Sequence, residues 1–334
     1  MSPFPPAPLP HVKRALYFMQ AWAVSTIWDW KLFVARLFRP SPLSERPSFS
    51  KAYPCRPELR NRVFLPKEST SSSISQPLPL YIDIHGGGFM MGDPESDDNF
   101  CSRLADQAKL CVVSINYQKS SKHRFPVPVF DAAAIASAVI NDPDLPIDRE
   151  KVVVGGFSAG GTIALSIVQT PELREKVKAV VAFNPITDWT ISSQDKFARA
   201  PRRSGHDRLG ANFVSLMQWA FVPSGQNLED PLLSPRYAAR DRLPENVWII
   251  AAEEDILCGE AEDMALGLAG SDSGKLLRGK ASWEKHGVRW EKMLGWKHGF
   301  HHIREKGEKE RERLQVMDDL VHRIGLWLQE RCFV

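Results

Sequence analysis

The chain has 334 residues, of which 43% are hydrophobic and 25% charged, and this composition is ordinary for a soluble globular protein. Its 43 basic and 40 acidic residues nearly cancel, and we find no helix-turn-helix, zinc-finger or RNA-binding signature, so we expect no nucleic-acid partner. The five cysteines are odd in number and scattered, without a C-x-x-C pair. That pattern argues against a disulfide framework or a zinc site and favours a reducing, cytoplasmic compartment.

Residues 1–76 are predicted to form an N-terminal arm, an amphipathic lid and a linker. Between residues 11 and 38 apolar residues recur every three or four positions, which predicts one helix or a pair of helices. This apolar stripe consists of Leu16, Met19, Ala23, Ile27, Trp30, Val34 and Leu37. Only 14 uncharged residues separate Arg14 from Asp29, too few to span a bilayer comfortably.

We interpret residues 11–38 as a lid that packs on its own domain. Two alternatives stay open, namely peripheral contact with a membrane surface, and a secretory signal with a cleavage site near Ala21 to Ala23. Proline and serine dominate from residue 39 to residue 76, which predicts an exposed connection with one strand near Val63 to Leu65.

Residues 77–334 show a regular alternation of apolar strands and helices, which predicts a parallel sheet covered on both faces. The predicted strands lie at 78–84, 111–115, 152–154, 179–183, 247–252 and 288–294. The predicted helices lie at 100–109, 129–140, 162–168 and 308–331, and residues 262–286 should hold one more helix and a Gly/Ser/Lys-rich loop. The regularity stops between residues 188 and 242, where aromatic residues lie among many arginines. We expect this insertion to be a helical cap.

One serine lies on a predicted turn between a strand and a helix. Gly156 and Gly160 flank Ser158 at the two places where a sharp strand-to-helix turn has no room for a Cβ. Such a turn pushes the serine oxygen out at the top of a sheet, as a nucleophile requires. Short matches of this kind also arise by chance, so the case for a catalytic serine depends on finding its partner groups.

A glycine run, from Gly86 to Gly88, follows the apolar strand at 80–84 and the residue His85. Successive glycines let backbone N–H groups point together at a small anionic oxygen. We expect the N–H groups of Gly87, Gly88 and Ala159 to form such an oxyanion hole. The adjoining Phe89 and Phe157 are expected to contact the substrate.

Six separated motifs resemble the hormone-sensitive-lipase-like branch of the α/β-hydrolase superfamily. They are His85-Gly-Gly-Gly88, Gly156-Phe-Ser-Ala-Gly-Gly161, Pro185-Ile-Thr-Asp188, Asp230-Pro-Leu-Leu-Ser-Pro235, Asp255-Ile-Leu257 and His298-Gly-Phe300. The resemblance covers about residues 78 to 330. It implies a mostly parallel central sheet flanked by helices, with a helical cap formed by the N-terminal segment and the 188–242 insertion.

A nucleophilic serine needs a histidine base and a carboxylate that orients it, in the order Ser, acid, His along such a chain. The candidate acids are Glu253, Glu254, Asp255 and Glu260, and the candidate bases are His286, His298, His301 and His302. The resemblance selects Asp255 and His298 through the family's Asp-x-Leu and His-Gly-Phe forms. We expect His301 and His302 at the surface or at a helix start.

The resemblance implies a serine hydrolase that cleaves a small to medium hydrophobic ester through an acyl-enzyme, without a metal or an organic cofactor. Amide or formamide hydrolysis, acyl transfer and cyclisation are alternatives at the same site, and a non-catalytic ligand-binding protein is a third class. The chain departs from the family at Phe157, at residues 118–122 and in the loop 270–287, and we expect these departures to affect the substrate preference. The sequence is compatible with two oligomeric states, a monomer and a homodimer.

Overall fold

The structure is a computed structural model that describes residues 10–38, 42–67, 76–120, 122–200, 209–270 and 272–333. The proline-rich start of the predicted arm and the serine-rich tip at 69–73 lie outside these ranges. The helices are α1 His11–Phe38, α2 Asp98–Ala108, α3 Val127–Ile140, α4 Ala159–Ile167, α5 Ser193–Arg199, α6 Ala211–Phe221, α7 Cys258–Leu268, α8 Ser273–Leu277 and α9 Glu308–Cys332. The strands are β1 Phe49–Tyr53, β2 Arg56–Phe64, β3 Leu78–Ile84, β4 Cys111–Ile115, β5 Ile147–Phe157, β6 Val177–Phe183, β7 Asn246–Ala252, β8 Ser282–Lys285 and β9 Val288–Met293.

The strands of the described residues form one nine-stranded sheet in the order β1-β2-β4-β3-β5-β6-β7-β9-β8. The pairings from β4 across to β9 are parallel, and those at the two edges are antiparallel. The inner strands are short apolar runs because helices cover both of their faces. Helices α3, α4 and α7 pack on one face and α2 and α9 on the other. The predicted fold class is therefore confirmed.

Two parts of the predicted organisation are wrong. Residues 49–64 form β1 and β2 and belong to the sheet, so the domain does not begin at residue 77. In β2 the inward residues Leu59, Asn61 and Val63 alternate with arginines that stay exposed or half-buried, and these charges hide the strand pattern. Residues expected in a loop form β8, which pairs antiparallel with β9 at the opposite edge.

Residues 11–38 form one continuous helix that lies on the cap insertion. The ring of Tyr17 lies 5.6 Å from that of Trp219 in α6, and Ala21 is fully buried. The apolar stripe seen in the sequence points the other way, because Leu16 and Trp30 are 48% and 66% exposed. None of the helices described in the structure combines the length and the apolar composition that a bilayer-spanning segment needs.

A buried ion pair fastens the cap insertion to the main domain. Lys196 in α5 and Glu260 in α7 are in contact, and their side chains are 2% and 1% exposed. Glu260 Oε1 also accepts a hydrogen bond of 2.9 Å from the Thr187 N–H, and Lys196 Nζ donates one of 2.6 Å to the Asp188 carbonyl. Burial raises the pKa of the Glu260 carboxyl, and the Lys196 charge opposes this shift.

We expect Glu260→Ala to lower the free energy of unfolding by about 3–5 kcal/mol, because it leaves the Lys196 ammonium buried without its counter-ion. Equilibrium denaturation in urea measures this loss. Glu175→Ala is the matched control, since Glu175 is 88% exposed and its nitrogen–oxygen distance to Arg174 is 3.8 Å. That control should change stability by about 1 kcal/mol or less. Equal losses in the two variants would contradict a structural role for the buried pair.

Candidate active site

Ser158 lies on a sharp turn between the carboxyl end of β5 and the first residue of α4. Its backbone has φ 53° and ψ −117°, a conformation that residues other than glycine rarely adopt. The Ser158 N–H donates a hydrogen bond of 2.7 Å to the Phe183 carbonyl, and the Ser158 carbonyl accepts one of 3.0 Å from Thr162 N–H. These bonds hold the strained residue between β6 and α4.

The flanking glycines are required because backbone atoms lie where their side chains would be. A Cβ on Gly156 would lie 2.5 Å from the Ile84 carbonyl oxygen, and a Cβ on Gly160 would clash with the same oxygen. The turn at Ser158 is thus packed directly against the last residue of β3.

Two residues from the carboxyl ends of neighbouring strands complete a hydrogen-bonded series. His298 Nε2 lies 3.0 Å from Ser158 Oγ, and His298 Nδ1 lies 2.6 Å from Asp255 Oδ2. Asp255 follows β7 and is 1% exposed, and its other oxygen accepts a 3.0 Å hydrogen bond from the Leu257 N–H. His298 lies on the loop after β9. This geometry lets the imidazole take a proton from the hydroxyl while the carboxylate fixes its tautomer.

The other candidate acids have different partners. Glu260 pairs with Lys196, as described above. Glu253 accepts a 2.9 Å hydrogen bond from the Gly295 N–H, and the Glu254 N–H donates to the Trp296 carbonyl over 2.9 Å. Both contacts hold the loop that carries His298, so these glutamates support the histidine from outside the series.

The remaining histidines lie elsewhere. His286 is in the turn between β8 and β9, where its Nδ1 lies 3.0 Å from the Ala269 carbonyl. His301 and His302 were predicted at the surface or at a helix start, but His301 is buried and His302 is half-buried. The His301 ring is buried and stacks on Phe157 at 4.2 Å between centroids. Burial lowers the pKa of His302 to about 4.

The glycine run after β3 forms a tight loop beside the Ser158 turn. The Gly87 carbonyl accepts hydrogen bonds from the N–H groups of Met90 and Met91, at 3.2 and 3.1 Å. Gly87 and Gly88 have φ of 117° and 59°. A Cβ on Gly88 would lie 2.6 Å from Met217 Sδ, so a cap side chain touches the loop at this residue.

A polar cluster that the sequence analysis missed supports this loop from behind. His85 stacks on Tyr117 with 4.6 Å between ring centroids, and His85 Nε2 lies 3.3 Å from Asn116 Oδ1. Lys119 Nζ donates to the same oxygen over 2.7 Å. Burial lowers the pKa of Lys119 to about 7, and burial followed by the Lys119 charge holds the pKa of His85 well below its usual value. The only signal was the departure from the family at residues 118–122.

The two aromatic residues predicted to contact a substrate are both fully buried. Phe157 lies on the α2 side of the sheet, stacked on Phe183 at 4.3 Å and on His301. Phe89 stacks on Phe221 at 3.8 Å. Phe157 packs beneath the serine turn on the α2 side, so the structure does not place its ring where a ligand at the cap would touch it. Phe89 packs the cap onto the glycine loop, and its contact with a substrate stays a prediction.

The cap insertion and α1 lie against the glycine loop beside the serine. Ser158 is 8% exposed, and Met217 of α6 lies on the glycine loop. The Ser25 hydroxyl of α1 donates a 3.1 Å hydrogen bond to the Met90 carbonyl at the end of that loop. In the part of the chain that the structure describes, no three His, Cys, Asp or Glu side chains are grouped as metal ligands would be.

Two buried carboxyl groups lie behind the site. Asp83 Oδ2 accepts a 2.7 Å hydrogen bond from Ser114 Oγ, and Asp97 Oδ1 lies 2.7 Å from His302 Nε2, poorly aligned for a hydrogen bond. Burial and the Asp97 charge raise the pKa of Asp83 well above its usual value, and burial raises that of Asp97 to about 8. Near pH 7 Asp97 is therefore largely protonated and His302 is neutral.

Comparison with known proteins identifies the class to which this fold and site belong. A family model described as an alpha/beta hydrolase fold matches residues 81–279, more than half of the chain. The chain therefore belongs to the α/β-hydrolase-fold family, in its hormone-sensitive-lipase-like group, which confirms the resemblance drawn from the motifs.

Several relatives bear names that end in esterase. Versiconal hemiacetal acetate esterase of Dothistroma septosporum is 38% identical over 190 residues, 54% of this chain and 52% of that protein. Arylesterase of Saccharolobus solfataricus is 28% identical over 214 residues, 62% of this chain and 66% of that protein. The aligned part thus spans about half to two thirds of these relatives' lengths. The solved structure of an esterase from Pyrobaculum calidifontis has the same fold, with a TM-score of 0.71 and 24% identity over 97% of this chain and 99% of that one.

We expect the buried carboxyl of Asp97 to make the protein less stable as the pH rises from 6.5 to 8. From about pH 4 to 6.5 the folded chain holds a proton on Asp97 that the unfolded chain lacks, whereas it lacks one on His302 that the unfolded chain binds, so the two effects oppose. From 6.5 to 8 only the Asp97 effect of this pair remains. It amounts to at most about 2 kcal/mol.

Asp97→Asn should therefore make the fall in unfolding free energy shallower over this window, as measured by urea denaturation at several pH values. Asp83 acts in the same direction, so the slope should shrink rather than vanish. The control is Asp318→Asn, which removes an exposed carboxylate that accepts from Arg103 over 2.9 Å. Parallel curves for the wild type and Asp97→Asn would refute the assignment.

Proposed function

We propose that this protein is a serine hydrolase that cleaves carboxylic esters of small to medium hydrophobic compounds. The observation that carries the proposal is the series from Ser158 Oγ to His298 Nε2, 3.0 Å, and from His298 Nδ1 to Asp255 Oδ2, 2.6 Å. The esterase names of the relatives support the same reaction.

In the proposed mechanism Ser158 Oγ attacks the ester carbonyl carbon while His298 Nε2 accepts the hydroxyl proton. Asp255 keeps the Nδ1 proton on its own side of the ring and stabilises the imidazolium that forms. The imidazolium then protonates the departing alkoxide, which leaves an acyl group on Ser158. Water, deprotonated by the same imidazole, attacks this acyl-enzyme, and the imidazolium then protonates Ser158 Oγ as the bond to the acyl carbon breaks and the carboxylic acid leaves.

The negative oxygen of each tetrahedral intermediate needs hydrogen-bond donors fixed beforehand. We assign these donors to the N–H groups of Gly87, Gly88 and Ala159. The support is that Ala159 begins α4 directly after the serine, while the Gly87 carbonyl is turned into its own loop. Removing one such donor typically costs about a hundredfold or more in turnover.

We infer that the side chains beside the glycine loop favour short acyl groups. A substrate whose carbonyl oxygen reaches Gly88 N–H brings its acyl chain close to Met217, since Met217 Sδ lies 2.6 Å from the Cβ position of Gly88. A relative named for an acetate ester agrees with this limit. We therefore propose acetate and similarly short esters as the preferred class.

Ser158→Ala should abolish labelling by a fluorophosphonate probe and lower kcat/KM for 4-nitrophenyl acetate by about ten-thousandfold or more. His298→Ala should lower it as strongly, and the double variant should be little worse than either single one, because the groups act as a unit. Ser166→Ala is the matched control, since this buried hydroxyl donates a hydrogen bond of 2.9 Å to the Thr162 carbonyl in the same helix.

Probe labelling that survives Ser158→Ala would disprove the proposal. Turnover of 4-nitroacetanilide at the same rate as the ester would reassign the protein to amide hydrolysis.

Met217→Ala should shift the preference toward longer acyl chains, because it removes the side chain that touches Gly88. We expect the ratio of kcat/KM for 4-nitrophenyl hexanoate to that for the acetate to rise about tenfold. Met264→Ala, in α7, removes an equally buried methionine from the same hydrophobic cluster and should leave this ratio unchanged. If both variants shift the ratio alike, the effect comes from a loosened core and the acyl-site assignment fails.

A further inference from the structure

Helix α1 presents a row of large apolar side chains to solvent. They recur at helical spacing and include five of the seven residues of the apolar stripe noted in the sequence, together with Trp22 and Phe33. Six of them are Leu16, Met19, Trp22, Ile27, Trp30 and Phe33, which are 48%, 54%, 63%, 56%, 66% and 56% exposed. An exposed apolar face of this extent on a soluble protein marks an interaction surface.

The opposite side of α1 is the one that holds it to the protein. Ala21 is fully buried, Tyr17 meets Trp219, and Ser25 Oγ donates to the Met90 carbonyl. These three residues are spaced four apart and form the inner stripe of the helix. Within the part of the chain that the structure describes, the outer apolar face is therefore uncovered while the helix is already anchored. Rotating the helix to bury this face on the cap would break these contacts.

The charges along α1 indicate what covers the apolar face. Lys13 and Lys31 are both exposed and lie eighteen residues, or about five turns, apart, so they line the same edge of the face. Arg14 adds a further exposed basic group, and Asp29 is the one acidic residue in the helix sequence. Lysine side chains at such an edge can reach lipid phosphates while their stems cover apolar surface, and tryptophan is favoured where hydrocarbon meets headgroups.

We propose that α1 docks this protein in the plane of an anionic lipid surface, with its apolar face in the boundary between headgroups and acyl chains. At 28 residues the helix is about 42 Å long and presents this face along most of its length. Its combination of a broad apolar face and a basic edge is that of an interfacial helix. The proposal concerns binding and does not depend on the ester chemistry proposed above.

The test is cosedimentation of the full chain with vesicles of phosphatidylcholine, alone or with about 30 mol% phosphatidylserine. The wild type should bind the anionic vesicles, and added salt should weaken this binding. The double change Trp22→Ser and Trp30→Ser should lower the partition coefficient at least about tenfold, since it removes two large apolar anchors. Lys13→Glu with Lys31→Glu should remove the preference for the anionic vesicles.

Leu276→Ser with Leu294→Ser is the matched control, because these residues are 67% and 58% exposed and lie outside α1. This control should bind as the wild type does, and all variants should keep the wild-type melting temperature because every changed side chain is exposed. The proposal is overturned if the wild type does not sediment with the anionic vesicles, or if the tryptophan variant binds these vesicles as well as the control does. It is also overturned if the wild type is a dimer that the tryptophan changes dissociate without any vesicle binding, which would assign the face to a second copy.

Discussion

The carbonyl oxygen of Ile84 is the point on which the candidate site depends. Gly156 and Gly160, which flank Ser158, both pack against this oxygen so closely that neither tolerates a side chain. Ile84 is also the last residue of β3, so the loop that carries Gly87 and Gly88 begins at the next residue, His85. One backbone contact thus fixes the serine turn relative to the glycine loop. The strained φ of Ser158 persists because this packing and the bond to Phe183 over-determine it.

The histidine and the aspartate are held differently, by polar contacts between two loops. Glu253 and Glu254 precede Asp255 and bind the backbone of Gly295 and Trp296, just ahead of His298. Because the two loops are tied at these points, the carboxylate and the imidazole approach each other with little freedom to lose. Parallel strands bring both loops to the same edge of the sheet, where ligand sites gather in open α/β folds.

Much of this arrangement could be predicted from the sequence, because its signals are local. Short apolar runs that alternate with helical segments predicted the inner strands, and the glycine spacing predicted the turn at Ser158. Only the end of β2 was predicted, near Val63 to Leu65, because arginines alternate with the inward residues of its first part and the inward Asn61 is polar. Phe157 was misplaced because side-chain direction at a strand end depends on the sheet, and here the ring faces the α2 side with His301.

Helix α1 shows what periodicity cannot decide. The pattern located one apolar stripe on the correct residues, yet a stripe does not specify whether the protein's own core or another apolar phase covers it. In this chain a narrower stripe of small and polar-tipped residues, Tyr17, Ala21 and Ser25, makes the intramolecular contacts. Such contacts depend on the shape of the cap, on Trp219 and Met90, which lie far away in sequence. The helix is therefore attached to the cap and to the glycine loop by its less apolar side, and its more apolar side forms an outer surface.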